Sequence, residues 1–222
     1  MAIRFIQHDF RAKKNNCMYV PPQFSIEQDA AWEIVKEAGA GLLIVGGPEG
    51  MESVFVPVVV SEDRTKLTSH VAKANKWWRA LNDGDEVLAV FLSASAYVSP
   101  SLYPSRFEKP GVVPTWNFVM AEVRGTVTVH SDAEWLKKQT TSVTEEFEKH
   151  RDPQWLVSET PSEYYDQQLK AIVGLEILVS DIQGKAKLSQ NRPEIDHNNV
   201  RDNFAHGTLG EQNVANRMNL DK

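Results

Sequence analysis

The chain has 222 residues, 41% of them hydrophobic and 24% charged, which suffices for one sizeable core and leaves little length for a second full domain. Its formal charge of −6 gives no global positive field, and this counts against a stand-alone DNA reader held by phosphate contacts. A single cysteine, Cys17, excludes an intrachain disulfide, a zinc ribbon and a CxxC redox pair.

The first 17 residues are polar and basic, with Arg4, Arg11, Lys13 and Lys14, and read as an extension ahead of the fold, which begins at MYVPPQF. They lack a continuous apolar h-region, and no later stretch approaches the roughly 20 apolar residues of a membrane span. A cytoplasmic protein is therefore expected. Ser25, with Gln28 three residues on, has the spacing of a capping box before the run Ala30, Ala31, Ile34, Val35 and Ala38, a short amphipathic helix stopped by Gly39 and Gly41. GLLIV and SVFVPVVV follow as two β-branched strands joined by GGPEGME, whose glycines and proline suit a hairpin turn.

KLTSHVA is a third strand, NKWWRALNDG a short helix or turn, and DEVLAVFLSASAYVSP a long fourth strand. After the Pro-, Ser- and Gly-rich loop SLYPSRFEKPGVVP comes a fifth strand, TWNFVMAEVRGTVTVH. Asp132 opens a second helix, Pro161 to Ile172 holds a third, and LEILVSDIQGKAKLS returns to strand. From Pro193 the chain is a polar tail with one weak helix in LGEQNVANRMNL. Alternating βα units and a GxGxxG fingerprint are both missing, which disfavours a Rossmann-type fold. A mainly β, α+β architecture is expected, an antiparallel Greek-key barrel with flanking helices.

The informative residues are the polar ones embedded in apolar strands, because burying them unpaired is costly. Four segments concentrate them: 69–75 (SHVAKAN), 96–106 (AYVSPSLYPSR), 113–118 (VPTWNF) and 187–192 (KLSQNR). Together they offer donors suited to a phosphate, amides suited to the edge of a heterocycle, and aromatic faces for stacking. In these segments, and in MYVPPQF, SHVAKANKWW, AYVSPSLYPS, VVPTWNF, AIVGLEI and above all KLSQNR, the chain resembles the PaiB-type "FMN-binding negative transcriptional regulator" family, from about Met18 to Arg192. That resemblance implies a split β-barrel domain over 18–192, related to pyridoxamine-phosphate oxidase, with FMN held at the interface of a homodimer.

By this analogy Ser69, His70, Lys73 and Asn75 face the FMN phosphate, Lys73 as a point charge and Ser69 and Asn75 through neutral hydrogen bonds. The bland alternative is a solvated Lys73 and a hydrogen-bonded strand histidine. Asn117 has the donor and acceptor to read a flavin's pyrimidine edge, and Trp116 can wall the ring or pack across a dimer. Equally, Trp116 can be a core residue at the start of a strand and Asn117 the partner of the preceding turn. Lys187, Ser189, Gln190, Asn191 and Arg192 form a dense polar cluster for the flavin or the opposing subunit, or else a turn that ends the barrel. The Ser-Pro and Pro-Ser turns between Ser99 and Ser105 read either as ligand contacts or as a rigid loop.

His130, His150, His197 and His206 lack metal-site spacing, EEFEKHRD reads as an exposed helix face, and no G-x-S-x-G elbow supports a catalytic triad. Two functions remain in view. One is a regulator or redox sensor, although no helix-turn-helix with a basic recognition helix is visible. The other is an FMN-dependent oxidoreductase fed by a nicotinamide, for which no acid or base stands out. A haem-binding barrel ranks last, because no haem-ligand motif is present.

Overall fold

Strand alternation dominates the architecture of the protein, whose computed structural model describes residues 18–47, 50–108 and 111–219. The basic extension with Cys17 lies outside the described residues, as do positions 48 and 49 of the expected hairpin turn and 109 and 110 of the long loop. Among the described residues there are eight strands: β1 (Ser25–Ile26), β2 (Ala40–Gly47), β3 (Gly50–Pro57), β4 (Val59–Val60), β5 (Lys66–Ala72), β6 (Glu86–Val98), β7 (Thr115–His130) and β8 (Ile172–Lys187). Five helices accompany them: α1 (Gln28–Ala38), α2 (Ala133–Glu148), α3 (Ser162–Lys170), α4 (Glu194–Phe204) and α5 (Leu209–Met218). No described helix is long and apolar enough to cross a membrane.

The six expected strands are all present, and SVFVPVVV is divided. Val58 donates its N–H to the Gly39 carbonyl (2.8 Å), which takes it out of the ladder and separates β3 from β4. Ser25 is not the cap of α1: it is extended, lies in β1 and pairs with Lys185 of β8. A place in the ladder satisfies its backbone, so the helix starts three residues later. Asp132 does cap α2, its carboxylate accepting the Trp135 N–H at 2.7 Å.

The polar tail also differs from expectation, since it folds into two helices rather than one weak one. Val200 and Phe204 on α4, and Val214 and Met218 on α5, stand four residues apart and are buried. So few apolar positions among Asn, Asp and His make a faint pattern. Thr208 and Glu211 close a capping box at the start of α5.

In the sheet the strands run in the order β3-β2-β6-β7-β8-β5-β4, with β1 added to β8, and every pairing with a resolved register is antiparallel. The chain divides into two compact units. Among the described residues, the first comprises those within Met1–Glu37, Phe91–Glu122 and Ile182–Lys222, the second those within Ala38–Val90 and Val123–Asp181. In the first, α1 lies close on β8 because Gly184 has no side chain: a Cβ there would stand 2.5 Å from Ile26 Cδ1 and 2.9 Å from Ala31 Cβ. Its core includes Phe91, Val119, Leu188 and Phe204. In the second, Leu43, Leu67, Leu175 and Ile177 form the core, and α2 lays Trp135 over Gly174 of β8.

Candidate cofactor site

In the first unit the end of β8 and the start of β7 bring Trp116, Asn117, Lys187 and Ser189 together. Asn117 is fully buried and donates from Nδ2 to Ser189 Oγ at 2.9 Å, while the Ser189 hydroxyl stands 3.2 Å from Asn117 Oδ1. The two satisfy one another, as buried polar groups must. Ser189 adopts φ +65, a left-handed conformation that few side chains take. Gln190 braces this turn: its Oε1 accepts the Leu188 N–H and its Nε2 donates to the Ala186 carbonyl, both at 2.6 Å. Its amide is therefore occupied by the chain's own backbone.

Lys187 alternates with the buried Ala186 and Leu188, so its ammonium is half-exposed. It donates to Thr115 Oγ1 and, at 2.9 Å, to the Trp116 carbonyl. Burial, and then the positive charges of Lys185 and Arg192, hold its pKa below the usual lysine value. Trp116 is 54% exposed and meets Tyr97 in a T-shaped contact with centroids 6.3 Å apart. The alternative of a core tryptophan at the start of the strand is thereby set aside. Asn191 is exposed, and Arg192 stacks its guanidinium 4.5 Å over the Tyr103 ring.

Sequence reading did not single out Tyr103, which is fully buried with an unpartnered hydroxyl. Burial raises its pKa above 10.0, against the pull of the nearby Arg192 charge. Its signal was a tyrosine between two prolines in an otherwise polar loop. That loop is fixed by α4: buried Asp196 accepts the Ser105 N–H at 2.9 Å and the Ser105 hydroxyl at 2.6 Å, and Asn199 donates to the Leu102 carbonyl. The Ser99–Ser105 segment is thus a braced loop in which Ser99 caps a single 3₁₀ turn.

In the second unit β5 carries Ser69 and His70, and Lys73 and Asn75 follow at its end. Ser69 is buried and donates to the Pro57 carbonyl at 2.6 Å. His70 shares a 2.8 Å hydrogen bond between Nδ1 and Gln139 Oε1 of α2. Asn75 caps the following 3₁₀ turn by accepting the Trp77 N–H and is exposed. Among the described residues the Lys73 ammonium has no hydrogen-bond or ion-pair partner, while its backbone is held by Ala171 and by the Trp78 indole.

The chemistry of the first unit suits a flavin: a half-exposed aromatic ring, backbone and side-chain amides beside it, and cations that form no ion pair among the described residues. In the second unit, the unpaired Lys73 and the exposed Asn75 suit a phosphate. The strand order and helix placement are those of a split β-barrel. A family model described as "Putative FMN-binding domain" matches residues 18–181. The chain is 33% identical over 186 residues to "Protease synthase and sporulation protein PAI 2" of Bacillus subtilis, covering 82% of this chain and 87% of that protein. It is 29% identical over 202 residues to an uncharacterized protein of Emericella nidulans, covering 75% and 80% of the two chains.

Solved structures share the fold at low identity. The FAD and haem binding protein from Mycobacterium smegmatis superposes with a TM-score of 0.52 at 15% identity, covering 72% of this chain and 71% of that one. The flavocytochrome Anf3 from Azotobacter vinelandii gives 0.53 at 9% identity, with 72% and 67% covered. The chain belongs to the FMN-binding family that the matched domain defines, and FMN is its cofactor.

Proposed function

We propose that the protein is a homodimeric, cytoplasmic FMN sensor whose flavin state governs an effect on gene expression without direct reading of DNA. The observation that carries this is the cluster of Trp116, Lys187 and Arg192 around the reciprocal Asn117–Ser189 pair, which offers an aromatic ring and donors, while the nearby buried carboxylate, Asp196, is taken up by Ser105. When bound, FMN supplies reversible electron transfer at its ring system. Trp116 and Asn191 contact the cofactor, Asn117, Ser189 and Gln190 set the turn that presents them, and Lys73 and Asn75 provide phosphate donors. Ser69 and His70 act one step back, by fixing β5.

Two further observations support the reading. Each of the five helices carries at least as many Asp and Glu as Lys and Arg, which gives no basic helix for a DNA groove. Leu92 (57% exposed), Val113 (63%) and Trp116 in the first unit leave apolar surface that a second copy covers favourably. The relative named for protease synthesis and sporulation fits a regulatory output. A nicotinamide-fed oxidoreductase is the second reading, favoured by the cations beside the half-exposed Trp116 ring.

The test is an absorbance titration with FMN followed by anaerobic NADH, alongside retention on duplex DNA at moderate salt. Flavin bands on titration, slow single reduction without sustained turnover and no retention on DNA are expected. Multiple turnovers with NADH transfer the protein to the oxidoreductases; DNA retention that falls steeply with salt makes it a direct regulator. Absence of FMN binding removes the sensor altogether.

A further inference from the structure

Three cations of the first unit meet only neutral partners. Lys187 donates to Thr115 Oγ1 and the Trp116 carbonyl. Lys185, two residues away and on the same face of β8, donates to the Tyr19 carbonyl at 2.9 Å and lies 5.3 Å from the Phe118 ring centre. Arg192 rests on the Tyr103 ring. Among the described residues none of the three forms an ion pair, although the protein as a whole carries an excess of carboxylates. Beside them the buried Tyr103 hydroxyl makes no hydrogen bond of good geometry, with the Arg192 and Ser189 side chains that pull its pKa down and the Asp196 carboxylate that pushes it up close by.

Like charges gathered on a part-buried surface repel one another, and an orphaned buried hydroxyl is costly. Both penalties fall when an anion enters, because it takes charge-assisted hydrogen bonds from the cations. Burial first, and then the charges of Lys185 and Arg192, hold the Lys187 pKa below its usual value, as like charges gathered on a part-buried surface require.

We propose that Lys185, Lys187 and Arg192, with Thr115 and the Tyr103 hydroxyl, form a binding site for a phosphate or carboxylate group of a small molecule. The site does not depend on the sensor reading, but a second ligand placed there would give that reading its anionic partner. Two sources have this chemistry: a ligand separate from the flavin, which the assignment of the FMN phosphate to Lys73 and Asn75 favours, and the phosphate of FMN itself.

The experiment follows the ammonium of Lys187 by NMR and measures binding calorimetrically, on the full-length protein with and without FMN, using inorganic phosphate as the probe. Phosphate binding to the FMN-loaded protein, a rise in the Lys187 pKa, and a roughly tenfold or greater loss of binding in Lys187→Met and Arg192→Gln establish the site with a separate ligand. Phosphate binding only without FMN, together with a preference for FMN over riboflavin that Lys187→Met abolishes, establishes it with FMN as the source. Lys187→Arg retains binding in either case and guards against a folding defect. No phosphate-dependent change at Lys187, with phosphate and FMN affinities unaltered in folded Lys187→Met and Arg192→Gln, overturns the proposal. Phosphate binding in a protein that takes no FMN leaves the anion site standing and sinks the sensor reading.

Discussion

Tyr103 shows how a single side chain couples the site to pH. Its folded pKa is raised above 10.0, so the neutral phenol contributes stability that is present below pH 10 and is lost as the pH climbs through the folded value. Lys187 runs the other way: its folded pKa lies below 10.5, so it burdens the fold at neutral pH and the burden lifts as the pH rises towards 10.5. Tyr103→Phe removes an unpartnered hydroxyl and is expected to stay within about 1 kcal/mol of the parent at pH 7. In urea unfolding repeated near pH 10.5 it should keep stability that the parent loses; parallel losses in both proteins would contradict the assignment. Ser189 supplies a second residue-scale test. Because its φ is +65, Ser189→Gly should be more stable than Ser189→Ala by about 1 kcal/mol, although both lose the Asn117 partner. At this scale the sequence shows which segments are polar, but not that Asn117 and Ser189 consume each other or that Gln190 turns back on its own backbone. Those outcomes depend on where strand ends meet, and the chain alone does not specify that.

At the scale of elements, α4 and the loop it braces are joined through one buried carboxylate. Asp196→Ala strands both the N–H and the hydroxyl of Ser105, and we expect a loss of about 3 kcal/mol and a melting temperature lower by roughly 10 °C. Asp196→Asn, which keeps one acceptor, should recover part of this in the same calorimetric scan. The six main strands and helices α1, α2 and α3 were legible because their apolar spacing is regular and their ends carry Asp, Pro or Gly. The two-residue strands β1 and β4 were not, since two residues have no period to read. Helices α4 and α5 were nearly hidden for the opposite reason: each buries only three side chains, set among polar residues.

For the whole molecule, cofactor and partner both enter the stability. FMN at about a hundred times its dissociation constant should add about 2.7 kcal/mol, visible as a melting temperature several degrees higher and dependent on FMN concentration. A melting temperature indifferent to FMN would mean that the flavin binds the unfolded chain as well or does not bind. If two copies share apolar surface near Leu92, Leu92→Asp should shift the mass measured by light scattering from dimer to monomer; a parent that already runs as a monomer removes the homodimer from the proposal. Membership of the FMN-binding family was readable from recurring segments because those segments carry both turn chemistry and ligand chemistry. The division of the chain into two interleaved units was not readable, because three long strands pass through both and no composition shift marks the crossing.

That interleaving imposes an order on synthesis. All stretches of the second unit have left the ribosome once residue 181 is out, whereas the first unit still lacks its last stretch, including Lys185, the partner of Ser25 in β1. In a nascent chain Ser25 and Ile26 thus wait without their β8 partners until residues 184 and 185 have emerged. A stop codon shortly after position 181 would release a product with one unit complete in sequence and the other without its closing strand, a natural substrate for proteolytic clearance.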